Sequence, residues 1–539
     1  MSIFDWVYFL YWKGTFYIEF SSFAACLELI MKRDYDIIVA GGGLAGLIVA
    51  SSAAYYSHQS MRILVVDRNP LSEQGRKTVS GWICGDAVGK NTVDYMTSRI
   101  KITWSQPEIE HPVKGVIAYS PDHETGISFD GEGYMLNRRL LPQKQLQDAT
   151  KAGVEIKERV ALRSLVVEDN NVIGVEGDNL ANKTIFKKTA KLVVDCTGVT
   201  SVMRTTLPIK SFIQRRIDRD DLEATGRYIY NFDLAYEDKT YFDSDYCIIH
   251  LDQKIAPGGY AWVFPKGKSK VNIGLGVQQR AFDIRNKTMG LHTDLKTLID
   301  EYVEMNPAIA NPRLADDSND DGNAWGTWQV SVRRQNDCLV ANGYMLVGDS
   351  AWMPKPLDAG GIGPAIIAAT IAGKDAVEAI QAGDTSEKGL WQYNKHFIDD
   401  YGYKTAGLEV FRRMLQGLTN EQINYGMKHF LSKMDIEKIT QGEHPEFSTV
   451  DKLGMIIRGA MNKKLAEDLG YCASVNRVLT DHFRNYPETP EGFPEWHNIL
   501  IRHLGDAFLR YKASPVALES AERATSHSAT RATTTTNPN

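Results

Sequence analysis

Apolar residues fall along this chain in short runs, and glycines close most of them. Residues 35–40 (YDIIVA) carry four consecutive apolar positions and run into the turn GGGLAG. A run of that length bounded by glycine reads as a buried strand. The LIVASSAAYY that follows, rich in small residues, reads as a helix. Residues 62–67 (RILVVD) read as a second buried strand, ending in a carboxylate. The pattern returns in LVVDCTG at residues 192–198. It returns again in YMLVGDS at residues 344–350, where a glycine-rich turn then opens the helical pattern GPAIIAATIAGKDAVEAI. Residues 257–276 (PGGYAWVFPKGKSKVNIGLG) differ, because their large rings stand at every second position. A strand there would carry Tyr260, Trp262 and Phe264 on one face.

Both ends depart from this pattern. Residues 3–12 (IFDWVYFLYW) and 16–31 are aromatic and apolar, but Asp5, Lys13, Glu19 and Glu28 interrupt them. A spanning helix needs about 20 mostly apolar residues, and a secretory signal needs a basic start. Two readings remain: Met31 as the initiating methionine, with residues 1–30 an upstream translation, or an interfacial anchor. From about Ser514 the chain is rich in Ser, Thr and Ala, a tail without enough apolar surface to order itself.

Length and charge change the picture only a little. A chain of 539 residues is too long for one core. The formal net charge of −6 gives no nucleic-acid footprint. The six cysteines are scattered with no CxxC pair, which supports neither a zinc site nor an iron–sulfur cluster. Scattered thiols without a secretory signal fit a reducing, cytoplasmic setting.

Candidate chemistry begins at the first turn, where Gly41, Gly43 and Gly46 fit GxGxxG. Gly41 allows the tight turn, Gly43 lets a pyrophosphate approach the backbone, and Gly46 lets helix pack on strand. The helix N-terminus offers free N–H groups to phosphate. Asp67, about 20 residues beyond, can accept hydrogen bonds from a ribose diol. The expectation is a dinucleotide site.

The distant segments suggest which dinucleotide. Gly348, Asp349 and Ser350 with the following turn resemble the second FAD motif of glutathione-reductase-like flavoproteins, a group that includes p-hydroxybenzoate hydroxylase. LVVDCTG, with Ser201 and Arg204, resembles the D-x-x-G turn of the same superfamily. Tyr260, Trp262, Phe264, Pro265 and Lys266 match the YxWxFPK pattern of the geranylgeranyl reductases, and Cys84, Gly85 and Asp86 resemble that family's Cys-Gly loop. From about Tyr35 to Ile380 the chain is therefore similar to geranylgeranyl reductases. That resemblance implies FAD contacts at Ala45, Asp67, Cys84, Gly85, Ala87, Arg138, Asp349, Gly361 and Ile362, beside Gly41, Gly43 and Gly46. It also implies a substrate wall of Tyr260, Trp262 and Phe264. Some positions depart from the family pattern. Arg139 adjoins Arg138, Pro142 stands where an acidic residue is usual, and Ala359 replaces a glycine in the turn before Gly361.

The fold expected is α/β. A Rossmann-like FAD-binding domain of the glutathione-reductase or p-hydroxybenzoate hydroxylase type (34–205 and 338–385) would hold an inserted antiparallel β-sheet substrate domain (206–337). A helical C-terminal region (386–512) would follow, with an N-terminal extension (1–33) and a disordered tail (513–539) at the ends. The expected activity is FAD-dependent saturation of C=C bonds in geranylgeranyl chains, most simply on archaeal-type ether phospholipids. Cys84 and Tyr260 are the two candidate proton donors, and Cys84 could instead only position the flavin. The expected partners are an isoprenoid lipid and a reduced donor, either a ferredoxin-like protein or NAD(P)H. A membrane surface, reached peripherally from the cytoplasm, completes the list. The rivals are a flavin-dependent monooxygenase or halogenase of the same fold, and an electron-carrying or lipid-binding flavoprotein without chemistry of its own.

Overall fold

The computed structural model describes residues 33–73, 83–315, 324–430 and 463–511. The expected N-terminal extension up to residue 32, residues 75–82 leading into Cys84, and the tail from residue 513 lie outside the described residues.

The apolar runs become neighbouring strands. Tyr35–Ala40 lies between Ile63–Val66 and Thr184–Asp195, parallel to both, and Tyr344–Leu346 lies parallel beyond Thr184–Asp195. Ala40 pairs with Val66 on one side and Asp195 on the other, and Asp195 pairs with Leu346. The carboxyl ends of four strands thus finish level, which is where open α/β sheets bind ligands. Both faces of this sheet are buried, so its strands read as continuous apolar runs. Helix Leu44–Tyr56 and helix Ile362–Gln381 cross closely above it. A Cβ on Gly373 would stand 2.5 Å from that of Ser52, whose Oγ donates to Thr370 O at 2.8 Å.

A second sheet of nine strands is largely antiparallel. Its main path runs Ile309–Leu314, Leu222–Leu234, Lys270–Gln278, Tyr260–Pro265, Tyr246–His250, Ile109–Tyr119, Gly126–Leu136 and Ala87–Gly89, with Trp325–Ser331 also on Leu222–Leu234. The pair Tyr246–His250 with Ile109–Tyr119 is parallel. Three of these strands come from residues 87–136, a stretch expected to belong to the dinucleotide part. The division drawn at residue 205 therefore does not follow the sheets. The physical reason is pairing: strand Ile109–Tyr119 has its outward partner in Tyr246–His250, far along the chain. Helix Leu295–Glu304 covers one face of the sheet with Leu298, Ile299, Tyr302 and Val303. The other face carries the smaller cluster of Val113, Met135, Cys247, Trp262 and Phe264.

Beyond residue 390 the described chain is helical, with Trp391–Asp400, Thr405–Gln416, Asn420–His429, Lys463–Arg484 and Phe493–Arg510. Trp391, Tyr486, Phe493 and Trp496 pack their rings together and join the core of the first sheet. No helix among the described residues is long and apolar enough to cross a membrane.

Candidate active site

A cleft of about 380 Å³, partly open to solvent, lies between the two sheets. Its floor is the glycine turn. Gly41 has φ +100°, and a Cβ there would stand 2.4 Å from Cys196 O. A Cβ on Gly46 would stand 1.9 Å from Gly41 O, so this glycine closes the turn against its own helix. Gly43 has nothing within 4 Å of a would-be Cβ, and its open side faces the cleft. Asp67 braces the turn: Gly42 N–H donates to its Oδ2 at 2.6 Å and Asn69 N–H to its Oδ1 at 2.7 Å. Burial raises the Asp67 pKa, and these two backbone bonds work against the rise. The Asn69 side chain also bonds this carboxylate, which still faces the cleft where a ribose hydroxyl could reach it.

The wall beside the floor is held by Asp195. Its Oδ2 accepts from Ser201 Oγ and Tyr344 OH, both at 2.5 Å, and its Oδ1 from Thr197 Oγ1 at 2.6 Å. Cys196, Thr197, Gly198 and Ser201 then line the cleft. Arg204 turns away. It donates to Val199 O at 3.1 Å and to Ser350 O, and its guanidinium lies 4.6 Å over the Trp352 ring.

The second flavin-type segment meets the first where Gly348, φ +73°, passes the helix start; its Cβ would touch that of Ala45 at 3.0 Å. Asp349 points into the cleft without a protein donor on its carboxylate among the described residues. Burial accordingly pushes its pKa up to about 6, with Arg138 pulling it back. Ala359, standing where the family pattern has glycine, has φ +53°, a left-handed conformation that costs a non-glycine residue about 1–2 kcal/mol. Gly361 caps helix Ile362–Gln381, whose first N–H groups have no intrahelical acceptor.

The opposite wall is aromatic. Tyr260, Trp262 and Phe264 share one face, with ring centroids 6.0 and 6.1 Å apart, while Ala261 and Val263 face the other cluster. Gly276 and Thr225 continue the Tyr260 row across the sheet to Trp328. Tyr260 OH donates to Asp358 O at 2.6 Å, and burial raises its pKa far above 10. Cys84 Sγ donates to Asp86 Oδ1 at 3.1 Å and accepts from Asp86 N–H at 3.2 Å. Burial, with Asp86 adding to it, pushes this thiol up to about 11 against the pull of Arg138. It is therefore protonated at neutral pH. Gly85 lets the loop reach the wall, since a Cβ there would be 2.9 Å from Phe264 Cε2.

Most expected site residues line this cleft together: Gly41, Gly43, Ala45, Asp67, Cys84, Gly85, Arg138, Asp349, Gly361, Ile362, Tyr260, Trp262 and Phe264. Gly46 and Ala87 do not; Gly46 is buried in the turn and Ala87 pairs with Met135 in the second sheet. Ile83, Thr225, Trp328 and Pro354 also line the cleft and carry no motif. Glu223, 5% exposed, lies beyond Tyr260 with Gln416 Nε2 donating to Oε1 at 3.1 Å. An open glycine face, two helix starts and an undonated carboxylate in one cleft fit the phosphates and hydroxyls of a dinucleotide.

Residues 227–312 match the geranylgeranyl reductase catalytic domain. The chain is 34% identical to the digeranylgeranylglycerophospholipid reductase of Sulfolobus acidocaldarius, over 86% of this chain and 95% of that protein. It is 29% identical to the protein of the same name from Methanosarcina acetivorans, over 73% and 88%. Among solved structures, a geranylgeranyl bacteriochlorophyll reductase-like protein from Thermoplasma acidophilum superposes with TM-score 0.62 at 24% identity, covering 81% of this chain and 99% of that one. A myxobacterial FAD-dependent chondrochloren halogenase superposes with TM-score 0.56 at 16% identity, covering 83% and 97%. These two structures speak for the fold alone.

Proposed function

The chain belongs to the geranylgeranyl reductase family, and on that premise we propose that it is an FAD-dependent reductase saturating geranylgeranyl chains on archaeal-type ether phospholipids. One observation carries the reading. A dinucleotide cradle and a row of aromatic rings face each other across a single cleft, as a flavin and a long apolar chain would require.

The cradle residues have separable tasks. Gly43 and the start of helix Leu44–Tyr56 receive the pyrophosphate, Asp67 a ribose, and Asp349 the ribityl hydroxyls. Gly361 and Ile362 offer N–H groups to the ring system. When bound and reduced, FAD supplies a hydride. The chain's own residues must hold the alkene, exclude water and deliver one proton for each bond saturated. Tyr260, Trp262, Phe264 and Trp328 form the apolar surface on which a polyprenyl chain would lie. Cys84 is the better placed of the two donor candidates. Both protons rest on an acceptor, Asp86 Oδ1 for the thiol and Asp358 O for the Tyr260 hydroxyl, but the Cys84 sulfur sits on the loop that Gly85 brings against Phe264 of the wall. In the transfer the S–H bond breaks and a C–H bond forms at the second alkene carbon. The thiolate keeps the electron pair until solvent reprotonates it.

The reduced donor is a ferredoxin-like protein or NAD(P)H, and the enzyme meets its lipid peripherally at a membrane surface. The deciding experiment is anaerobic. Protein carrying chemically reduced flavin is incubated with digeranylgeranylglycerophospholipid, and the lipid is weighed by mass spectrometry. Gains of two hydrogens per bond are expected. Unchanged lipid, or an oxygen-dependent hydroxylated or halogenated product, overturns the reading.

A further inference from the structure

Asp86 is the centre of a buried polar cluster between the Cys-Gly loop and the second sheet. It is 1% exposed and has φ +69°, a left-handed backbone. Its Oδ1 takes the Cys84 thiol. Its Oδ2 accepts from Lys266 Nζ at 3.1 Å and from Asn272 Nδ2 at 2.9 Å. Asn272 belongs to the sheet that bears the aromatic wall and Lys266 to the turn directly after strand Tyr260–Pro265, and both are nearly inaccessible, Lys266 at 5% and Asn272 at 0%. Asn272 does more than donate to this carboxylate. Nδ2 also donates to Cys84 O at 2.9 Å, and Oδ1 accepts from Trp262 Nε1 at 2.9 Å. Lys266 is further tied to Leu136 O at 2.7 Å and Glu110 Oε2 at 2.9 Å. The cluster therefore links the substrate wall to the thiol through hydrogen bonds alone.

A buried ion pair can be no more than core, but this one has a directional consequence. A thiol rotates freely unless an acceptor fixes it. Here the acceptor is a carboxylate that could itself swing were it not gripped on its other oxygen. Burial alone would raise Asp86, yet Lys266, Arg227 and Arg138 outweigh it and hold the carboxyl below its ordinary range. Asp86 is thus an ionised acceptor of fixed orientation. We propose that Lys266 and Asn272 are positioning residues for Cys84: by gripping Asp86 they fix where the sulfur sits and the acceptor on which its proton rests between turnovers, and Asn272 ties that arrangement to Trp262 of the wall. The inference rests on Cys84 acting in the reaction proposed above.

The test reads the S–H bond itself. The infrared S–H stretch of Cys84, isolated in flavin-loaded protein by difference against Cys84→Ser, falls in frequency when the thiol donates to a charged acceptor. In Asp86→Asn the band should move up. In Lys266→Met it should move up and broaden, with lipid turnover lower by about a hundredfold, the scale of a small misplacement at a reacting centre. A Lys266→Met protein that loads flavin and shows the native band overturns the proposal, whatever its turnover. Where Lys266→Met does not load flavin, the double variant Asp86→Asn/Lys266→Met leaves no Asp86 charge unpaired and replaces it. A band there matching Asp86→Asn alone supports action through Asp86, and a different band overturns it. Full lipid turnover in Cys84→Ala is the separate outcome that removes Cys84 from the chemistry. It sinks the role proposed for the thiol, and the infrared result would still stand or fall by itself.

Discussion

Gly41 and Gly43 stand two positions apart and answer to different demands. A side chain at Gly41 collides with backbone, whereas one at Gly43 projects into space. Gly43→Val is therefore expected to fold with a melting temperature close to native but to purify colourless. Gly41→Val should lose stability outright. Melting curves with flavin absorbance separate the two, and a yellow Gly43→Val protein would show the phosphate site to be elsewhere. Glu223 makes a different prediction. Burial holds it protonated to about 7, against the pull of Arg412 and Gln416, while in the unfolded chain it ionises near 4.5. Between those values the folded state binds the extra proton. Its contribution is thus complete below about 4.5 and is lost as pH rises toward 7. Urea unfolding across that window should show native stability falling relative to Glu223→Gln by on the order of 3 kcal/mol. Parallel curves would mean that Glu223 ionises normally.

Strand Tyr260–Pro265 is both wall and core, and its side chains divide the two roles. Trp262 is 6% exposed and bonded to Asn272, with Gly274 leaving room for its ring. Trp262→Ala should therefore cost about 3–5 kcal/mol like any buried aromatic deletion, and loss of turnover there says little about substrate. Tyr260→Phe keeps the ring and leaves Asp358 O without a donor, for about 1 kcal/mol. Turnover near native in that variant is the expected result, with Cys84 as donor; a collapse of turnover with flavin retained would return the role to Tyr260. The same strand shows what a chain reveals of itself. Its alternation, like the glycine-closed runs at residues 35–40 and 344–346, is a local pattern and was legible. Lys266 was legible only as part of a motif, because its partner Asp86 lies 180 residues earlier. Trp328 left no signal, since what makes it part of the site is a row formed by neighbouring strands, running from Tyr260 through Gly276 and Thr225. Strands Ile109–Tyr119 and Gly126–Leu136 carry charges on half-exposed faces and lacked any apolar run to mark their sheet.

At the scale of the molecule, the C-terminal helices are clamped to the core by buried charge. Glu409 accepts from Arg334 at 2.9 Å and faces Arg413, while Arg413 and Arg412 both reach Asp221. Arg334 also chelates Asp337 through two nitrogens at 2.7 and 2.8 Å. Removing one member strands the others away from water. Glu409→Ala should cost about 3–5 kcal/mol and lower the melting temperature clearly, whereas a small change would place these helices outside the cooperative unit.

The interleaving of the two sheets bears on how such proteins can diversify. Residues 227–312, the stretch that marks the family, leave behind strands Ala87–Gly89, Ile109–Tyr119, Gly126–Leu136 and Trp325–Ser331, all hydrogen-bonded into the same sheet. Cut out, that stretch would present two raw sheet edges and an uncovered face. It cannot be traded between relatives as a cassette in the way a contiguous insert can. New lipid preferences in this lineage must then come by point changes along the aromatic rows, or by exchange of nearly the whole chain.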